Sequence, residues 1–422
     1  MFNIISNLWN IIELRNRILN TIYYISIYRL GSYIVLPGMD PLLYKSQNTN
    51  SYIGIFNMIN MFVGDALEHF SIFSLGIMPY ISASILMQLM TFFVPFFKKI
   101  QRDGIYGYNQ INQWIRIITL VMSIIQGIIF IKFQMPSAII AEKGTCFILY
   151  SIILLSSGTM FIMWLSEKIT LKGIGNGISI IIMTGIIIKF PYALFYEIKS
   201  KIASYYFFPI ILFELILFTL IMFFIITITQ ITRKIPVEYV SNIGYNNLSK
   251  NYIPLKINSS GIMPIIFAQF IMFCISLISG FLNQNRNVFD NYNSILYNVM
   301  FSVLIILFSY CYTIFIINPN NISENIKKNG GYIPNINPGI ETSIYIDTIL
   351  KKITLIGSLF LATIAIIPSF IINFNITNIF AQFYGGTSLI IIISSILEII
   401  EQSKSYLIVH YYNNLIYKTN KI

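Results

Sequence analysis

Residues 71–90 read SIFSLGIMPYISASILMQLM, and the rest of the chain is best interpreted outward from them. The stretch is apolar enough to enter a bilayer, yet it contains Gly76, Pro79 and Gln88 together with four serines. A proline inside a helix removes one backbone hydrogen bond, and at membrane depth the freed carbonyl needs a partner in protein or water. Small and hydroxyl-bearing residues favour close contacts between helices. The stretch therefore predicts a kinked helix that packs inward beside a cavity.

The composition of the whole chain indicates a protein with many membrane spans. Its 422 residues are 56% hydrophobic and only 10% charged, whereas soluble proteins carry about 25% charged residues. Apolar runs of about 18 residues or more predict spanning helices. Ten such runs occur, at residues 18–37, 72–95, 114–133, 147–165, 178–195, 207–229, 262–282, 295–317, 353–372 and 383–400. An eleventh run, 55–67, is too short to cross and predicts a half-helix.

The positions of the basic residues predict how the chain is oriented. Of the 27 Lys and Arg residues, 19 fall on the side that holds both termini and every second loop, and seven fall on the other. Because basic loops stay in the cytoplasm, both termini are expected to be cytoplasmic. Two cytoplasmic connections, 231–261 and 318–352, are long and rich in turn formers, which predicts structured protrusions. Their charge is compatible with a solvated face or with a docking site for a large partner.

Residues that could carry enzymatic chemistry are sparse. The two histidines and three cysteines lie far apart, without the spacing of a catalytic or metal site. Residues 173–177 (GIGNG) lack the Gly-Lys-Ser/Thr of a nucleotide loop and predict a turn in which Asn176 caps the next helix. Glu214 is the one acidic residue well inside a predicted span, and we interpret it as a helix–helix contact. We therefore predict no catalytic, cofactor-binding or metal-ligating residue, no cofactor and no enzyme activity.

Short motifs lie in a fixed order along nearly the whole chain. They are residues 28–32 (YRLGS), 36–40 (LPGMD), 73–88, 158–161 (GTMF), 163–165 (MWL), 172–182 (KGIGNGISIII), 254–264 (PLKINSSGIMP), 318–319 (NP), 330–339 and 385–389 (GGTSL). Together these motifs closely resemble the SecY family, the channel subunit of the Sec protein translocase. The resemblance implies an all-α polytopic membrane protein with ten transmembrane helices in two inverted pseudo-symmetric five-helix halves, plus a short plug half-helix.

The same resemblance implies domain limits, a function and partners. The N-terminal half would be 1–195, with spans 1–5 and the plug at about 55–67, and the C-terminal half 196–422, with spans 6–10 and a short C-tail. The expected function is a protein-conducting channel that passes unfolded secretory polypeptides and releases membrane segments sideways into lipid. The expected partners are SecE-like and SecG-like small subunits, a SecA-type ATPase or a ribosome on the cytoplasmic side, polypeptides with signal sequences, and the bilayer.

Four groups of residues take roles by this resemblance. The pore ring would be Ile77, Ile81, Ile178, Ile182, Ile266 and Ile391; the plug residues Ile55, Phe56, Met58, Phe62, Gly64 and Leu67; the lateral gate Ser82, Gln88, Gln126 and Asn258; and the partner docking residues Arg233, Lys234, Lys250, Lys256, Lys327, Lys328 and Asn337. Two ring pairs are spaced i, i+4, so each pair shares a helix face. For the gate residues, ordinary hydrogen bonds between helices are the competing interpretation.

Several positions depart from the family pattern. The plug end 63–69 (VGDALEH) introduces two acids and a histidine where small residues are usual. Asn337 stands where an arginine commonly precedes Pro-Gly, and the tip 241–247 (SNIGYNN) has lost its usual basic residues, which predicts weaker or less salt-dependent docking. Two other functions remain open: a secondary transporter for a small solute, which would need paired charges inside the membrane, and a membrane insertase without a pore.

Overall fold

The computed structural model describes residues 11–38, 64–66, 69–134, 145–202, 207–239, 251–258, 261–282, 294–374 and 376–419. The chain forms two compact units. Unit 1 consists of Met1–Phe195 and Ser394–Ile422, and unit 2 of Tyr196–Ile393. Both units are built almost entirely from helices, because long apolar segments in a bilayer must satisfy their backbone hydrogen bonds internally.

Thirteen helices follow one another along the described part of the chain. The first six are α1 (Ile12–Gly31), α2 (Met78–Phe93), α3 (Pro95–Arg102), α4 (Gly104–Gln134), α5 (Thr145–Lys172) and α6 (Gly177–Lys201). They are followed by α7 (Phe207–Gln230), α8 (Met263–Leu282), α9 (Ile295–Ile316), α10 (Pro319–Lys328), α11 (Ile340–Ile371), α12 (Asn378–Ala381) and α13 (Gly386–Thr419). Four short strands lie in unit 2: β1 (Thr232–Pro236), β2 (Glu238–Tyr239), β3 (Tyr252–Lys256) and β4 (Gly331–Tyr332).

Each of the ten predicted spans overlaps one of these helices. Among the described residues, seven helices are long and apolar enough to cross a membrane, and eight if the bent pair α2–α3 is one span. Helix α1 falls short of that standard because Glu13, Arg15, Arg17 and Arg29 lie within its 20 residues. The helical, multi-span class predicted from composition is confirmed.

The opening stretch is not one kinked helix, and that prediction was wrong. Residues 71–77 form consecutive turns, and α2 begins only at Met78, with Pro79 in its first turn. The N–H groups of a first turn have no partner within the helix, so a proline there costs no hydrogen bond. Gly76 has φ of +55°, a conformation that residues with a side chain rarely adopt, and it immediately precedes the helix start. At 16 residues, α2 is about 24 Å long.

A hydrophobic cluster holds these turns in place within unit 1. Its buried members are Leu36, Phe70, Leu75, Phe130, Ile131 and Leu155. Helix α5 approaches closely at Gly158, where a Cβ atom would lie 2.3 Å from the carbonyl oxygen of Ile72. Only glycine fits at that contact, which explains part of the GTMF motif.

Candidate functional site

The six isoleucines expected to form the pore ring occupy similar positions in their helices. Each lies at the N-terminal cap or within the first two turns of a helix. Ile77 and Ile81 begin α2, Ile178 and Ile182 begin α6, Ile266 begins α8 and Ile391 begins α13. Each of these helices is preceded by non-helical backbone, and the described residues of it are 71–77, 173–176, 257–258 with 261–262, and 382–385. Such backbone at membrane depth is tolerated where it is buried in protein or lines a cavity.

Local geometry shows how the first spaced pair, Ile77 and Ile81, is arranged. The N–H group of Ile81 donates to the carbonyl of Ile77 at 3.0 Å, which places the two residues one helical turn apart. Ile77, Ile81, Ile182 and Ile391 are buried, and the other two ring candidates are half-buried. The predicted cap on α6 is confirmed, because Oδ1 of Asn176 accepts a hydrogen bond from the N–H of Ile178 at 3.1 Å.

Most of the expected plug lies outside the described residues, including Ile55, Phe56, Met58, Phe62 and Leu67. Gly64 is described and buried, and it opens a short 3₁₀ turn, Gly64–Ala66. The carbonyl of Ala66 accepts three hydrogen bonds, from the N–H and Oγ of Ser71 at 3.1 and 3.2 Å and from Oγ of Ser74 at 3.0 Å. The two serines therefore fasten the end of this segment to the turns before α2. The sequence shows that serines are unusually frequent in this stretch, but it does not show that two of them bind the carbonyl of Ala66.

Replacing Ser74 with alanine is expected to loosen that attachment. The variant loses a buried hydrogen bond and should be destabilised by about 1 kcal/mol. Hydrogen exchange measured on peptides covering 64–74 should accelerate. Ser84→Ala is a matched control, because within the described part of the chain Oγ of Ser84 bonds only to its own helix, at the carbonyl of Ile81, 2.8 Å away. Equal exchange in the two variants would contradict the proposed attachment.

A half-buried cation, Arg29, lies next to the Gly64 turn. Gly64 has φ of +69°, and a Cβ atom built on it would lie 3.3 Å from Nη1 of Arg29. Arg29 stacks over the ring of Tyr33 at 5.5 Å, while its Nη1 atom is buried and has no hydrogen-bond partner among the described residues. The YRLGS motif contained Arg29, but the sequence did not indicate what it would face.

The structure joins two of the four expected gate residues. Nε2 of Gln126 on α4 donates to Oγ of Ser82 on α2 at 3.4 Å, and Ser82 is fully buried. Gln88 is exposed on α2 and does not join this pair. Asn258 lies in the turn after β3, in unit 2, where its carbonyl accepts a hydrogen bond from Gly261 at 3.3 Å. The Ser82–Gln126 pair is a contact between neighbouring helices, and a gating role for these residues stays a prediction.

The two long connections form one folded element, which we call the basic protrusion (the described residues of 231–261 and 318–352). Strand β1 pairs with β3, and β2 pairs with β4, so the second connection completes a sheet begun by the first. Eight buried residues form its core: Ile235, Val237, Leu255, Ile326, Ile333, Ile346, Leu350 and Ile353. The prediction of structured protrusions is confirmed for the described part.

The expected docking residues lie on the surface of the basic protrusion. Arg233, Lys234, Lys256, Lys327, Lys328 and Asn337 are all exposed, and Lys250 lies outside the described residues. Nζ of Lys234 lies 4.6 Å from the ring centre of Tyr252 across the β1–β3 pair. The Asn337 carbonyl accepts a hydrogen bond from Oγ1 of Thr342 at 2.8 Å, which ties this loop to the start of α11.

A tyrosine in the basic protrusion, Tyr332, should lose its proton at a higher pH than an ordinary tyrosine does. The O–H of Tyr332 donates to Oε2 of Glu238 at 2.8 Å, and this bond, together with the carboxylate's charge, raises the pKa of Tyr332 above its ordinary value of 10.0. A raised pKa means that the bond stabilises the fold below pH 10 and is lost as the pH rises through the folded-state pKa. The pKa of Tyr332 can be measured by ultraviolet difference titration, with Tyr332→Phe as the reference that lacks this tyrosine. In Glu238→Gln the pKa of Tyr332 should fall. An unchanged pKa would contradict the assignment.

Unit 2 also contains a buried charged cluster that the sequence interpretation missed. Lys201 at the end of α6 forms ion pairs with Glu214 on α7 and with Oε1 of Glu197, the latter at 2.7 Å. Oε2 of Glu197 accepts hydrogen bonds from Oγ1 and from the N–H of Thr377, the N–H at 3.0 Å. The helix–helix contact expected for Glu214 is thus found. The sequence interpretation did not pair Glu214 with Glu197 and Lys201, because hydropathy ended the span at residue 195 while α6 continues to Lys201.

Comparison with known proteins identifies the family. The family model described as SecY matches residues 71–400. Curated relatives named protein translocase subunit SecY include that of Buchnera aphidicola from Schizaphis graminum, 36% identical over 97% of this chain and 96% of its own. The Bacillus subtilis relative of the same name is 35% identical over 97% of this chain and 98% of its own.

Solved structures share the fold. A structure described as a protein conducting channel aligns with a TM-score of 0.65 at 15% identity, covering 93% of this chain and 92% of its own. Sec61 in a canine ribosome–channel complex from the endoplasmic reticulum aligns with a TM-score of 0.60 at 14% identity, with the same coverage of each chain. The chain is therefore a member of the SecY family, a multi-pass membrane protein that serves as a protein translocation channel and not as an enzyme.

Proposed function

We propose that unfolded secretory polypeptides pass this channel through a ring of the six isoleucines, and that membrane segments leave it sideways into lipid. The observation that carries the proposal is the shared position of these residues at the N-terminal ends of four helices, each next to non-helical backbone. Apolar constrictions exclude water and ions at rest. Stiff β-branched side chains suit such a constriction, because each has few rotamers and keeps its shape.

We further propose the topology and partners that the family resemblance implies. The chain would lie in the inner membrane as two inverted five-helix halves, 1–195 and 196–422. Both termini would be cytoplasmic, which the distribution of Lys and Arg supports. SecE-like and SecG-like subunits would accompany the chain. A SecA-type ATPase or a ribosome would supply the driving force at the basic protrusion, whose exposed cations suit an anionic partner. A ribosome is named in the description of one similar structure.

Ion conductance tests the apolar ring. Replacing Ile81 and Ile391 together with serine should make the constriction wettable and raise the resting ion leak of proteoliposomes several-fold. Met90→Ser and Ile396→Ser together form the control, because both residues are exposed on the same two helices. A leak that rises equally in both variants, or in neither, would contradict the ring.

The buried cluster of Glu197, Lys201 and Glu214 is the one observation that favours a secondary transporter. Transporters place ionisable residues along their pathway. Here, however, the ammonium group contacts both carboxylates, and Thr377 donates twice to Glu197. Charged groups that pair with one another in this way are typical of a structural contact between helices. The test is solute uptake by proteoliposomes. If Lys201→Met abolishes uptake but leaves protein translocation intact, the transporter function is supported instead.

A further inference from the structure

Helix α3 turns away from α2 in a single residue. Val94 alone separates the two helices, and the chain bends there by 103°. The N–H of Val94 still donates to the carbonyl of Met90 at 2.9 Å, but Pro95 has no N–H with which to continue the series. Because α2 forms part of a membrane span, a helix at nearly a right angle to it runs along the membrane plane.

The sequence of α3, PFFKKIQR, has two distinct faces. At 100° per residue, Phe96, Phe97 and Ile100 fall on one side, and Lys98 and Lys99 fall on the other. The helix contains no acidic residue; Asp103 follows its end. Phe96 is 61% exposed, and the neighbouring Phe93 at the end of α2 is 71% exposed. Both lysines are exposed as well.

Contacts with α4 fix the depth of this helix. The rings of Phe97 and Trp114 meet edge to face, with centres 6.1 Å apart. Trp114 opens the apolar run of α4, and tryptophan at that place in a span marks the membrane–water interface. A Cβ atom on Gly107 would lie 1.7 Å from the carbonyl oxygen of Ile100, so α3 packs directly on the backbone of α4. The helix is therefore held at the level of the headgroups.

We propose that α3 is an interfacial helix that binds anionic phospholipid headgroups. Lys98 and Lys99 would contact the lipid phosphates, while Phe93 and Phe96 enter the boundary with the acyl chains. Amphipathic helices with basic polar faces and aromatic apolar faces bind membrane surfaces in this way. Orientation along the membrane, depth beside Trp114 and charge complementarity all favour lipid over a protein partner on this face.

Fluorescence quenching of Trp114 tests this site in the full chain. Trp9→Phe and Trp164→Phe leave Trp114 as the single tryptophan. The protein is placed in phosphatidylcholine vesicles that contain an equal minor fraction of either brominated phosphatidylglycerol or brominated phosphatidylcholine. The anionic label should quench Trp114 several-fold more strongly. The preference should fall with each lysine charge removed, and it should vanish in Lys98→Gln/Lys99→Gln.

A second pair of substitutions controls for overall charge. Lys327→Gln/Lys328→Gln removes the same charge from exposed positions on α10 and should leave the preference unchanged. Equal quenching by the two labels, or a preference that survives in Lys98→Gln/Lys99→Gln, would overturn the proposal. Trp114 shielded from both labels would also overturn it, because protein would then cover this face.

Discussion

Replacing Lys201 with methionine is expected to lower the free energy of unfolding by about 3–5 kcal/mol. The side chain of Lys201 is only 12% exposed, and its ammonium group pairs with both Glu197 and Glu214. Removing the cation leaves two carboxylates close together and buried, without the ammonium group that pairs with both of them. Removing one partner of a buried ion pair is far more costly than removing the whole set.

Denaturant unfolding of the purified protein measures this loss. Lys199→Met is the matched control, because that lysine is exposed on the same helix and should change stability by no more than about 0.5 kcal/mol. Adding Glu197→Gln and Glu214→Gln to Lys201→Met removes the uncompensated charges and should restore most of the stability. If Lys201→Met and Lys199→Met unfold alike, the buried cluster does not stabilise unit 2.

Gly158→Ala is expected to destabilise the protein by about 1–3 kcal/mol, although alanine is a better helix former than glycine. The added methyl group would lie 2.3 Å from the carbonyl oxygen of Ile72, so either α5 or the turns at 71–77 must move. Those turns end at Ile77, the first residue of the candidate pore ring. We therefore expect translocation to fall along with stability.

Gly127→Ala provides the comparison within unit 1. Gly127 is buried in α4, but a Cβ atom there would meet only ordinary contacts at 3.9–4.0 Å. That variant should be neutral or more stable by up to about 1 kcal/mol, through helix propensity alone. Thermal unfolding and translocation into vesicles would be measured for both. A Gly158→Ala protein as stable as Gly127→Ala would show that α5 does not pack against Ile72 as described.

Hydropathy was sufficient to locate the spans, because a bilayer requires long apolar helices and little else in this chain forms them. It misjudged where helices end. Helix α6 continues six residues past its predicted limit of 195, to Lys201, since polar residues can extend a helix beyond the apolar core. Glu197 and Lys201, spaced i, i+4, were the sequence signal for that extension, and they carry the buried cluster.

Other features depended on tertiary contacts that no local pattern specifies. Pro79 is compatible both with a kink and with a helix start, and only the left-handed backbone at Gly76 decides between them. The serines at 71 and 74 indicated a polar environment but not the carbonyl of Ala66 that they bind. The isoleucine ring came from family resemblance, because isoleucine is too common in this chain for its identity to be informative.

Crosslinking of a stalled secretory polypeptide tests the central claim, that substrates pass along the isoleucines. Cysteines would be placed singly at Ile81, Ile182 and Ile391 in a chain whose own Cys146, Cys274 and Cys311 are replaced, with Met90, Ile187 and Ile396 as exposed control positions on the same helices. We expect crosslinks from the three ring positions and few from the controls. Secretion that proceeds while the polypeptide reaches none of the ring positions would contradict it.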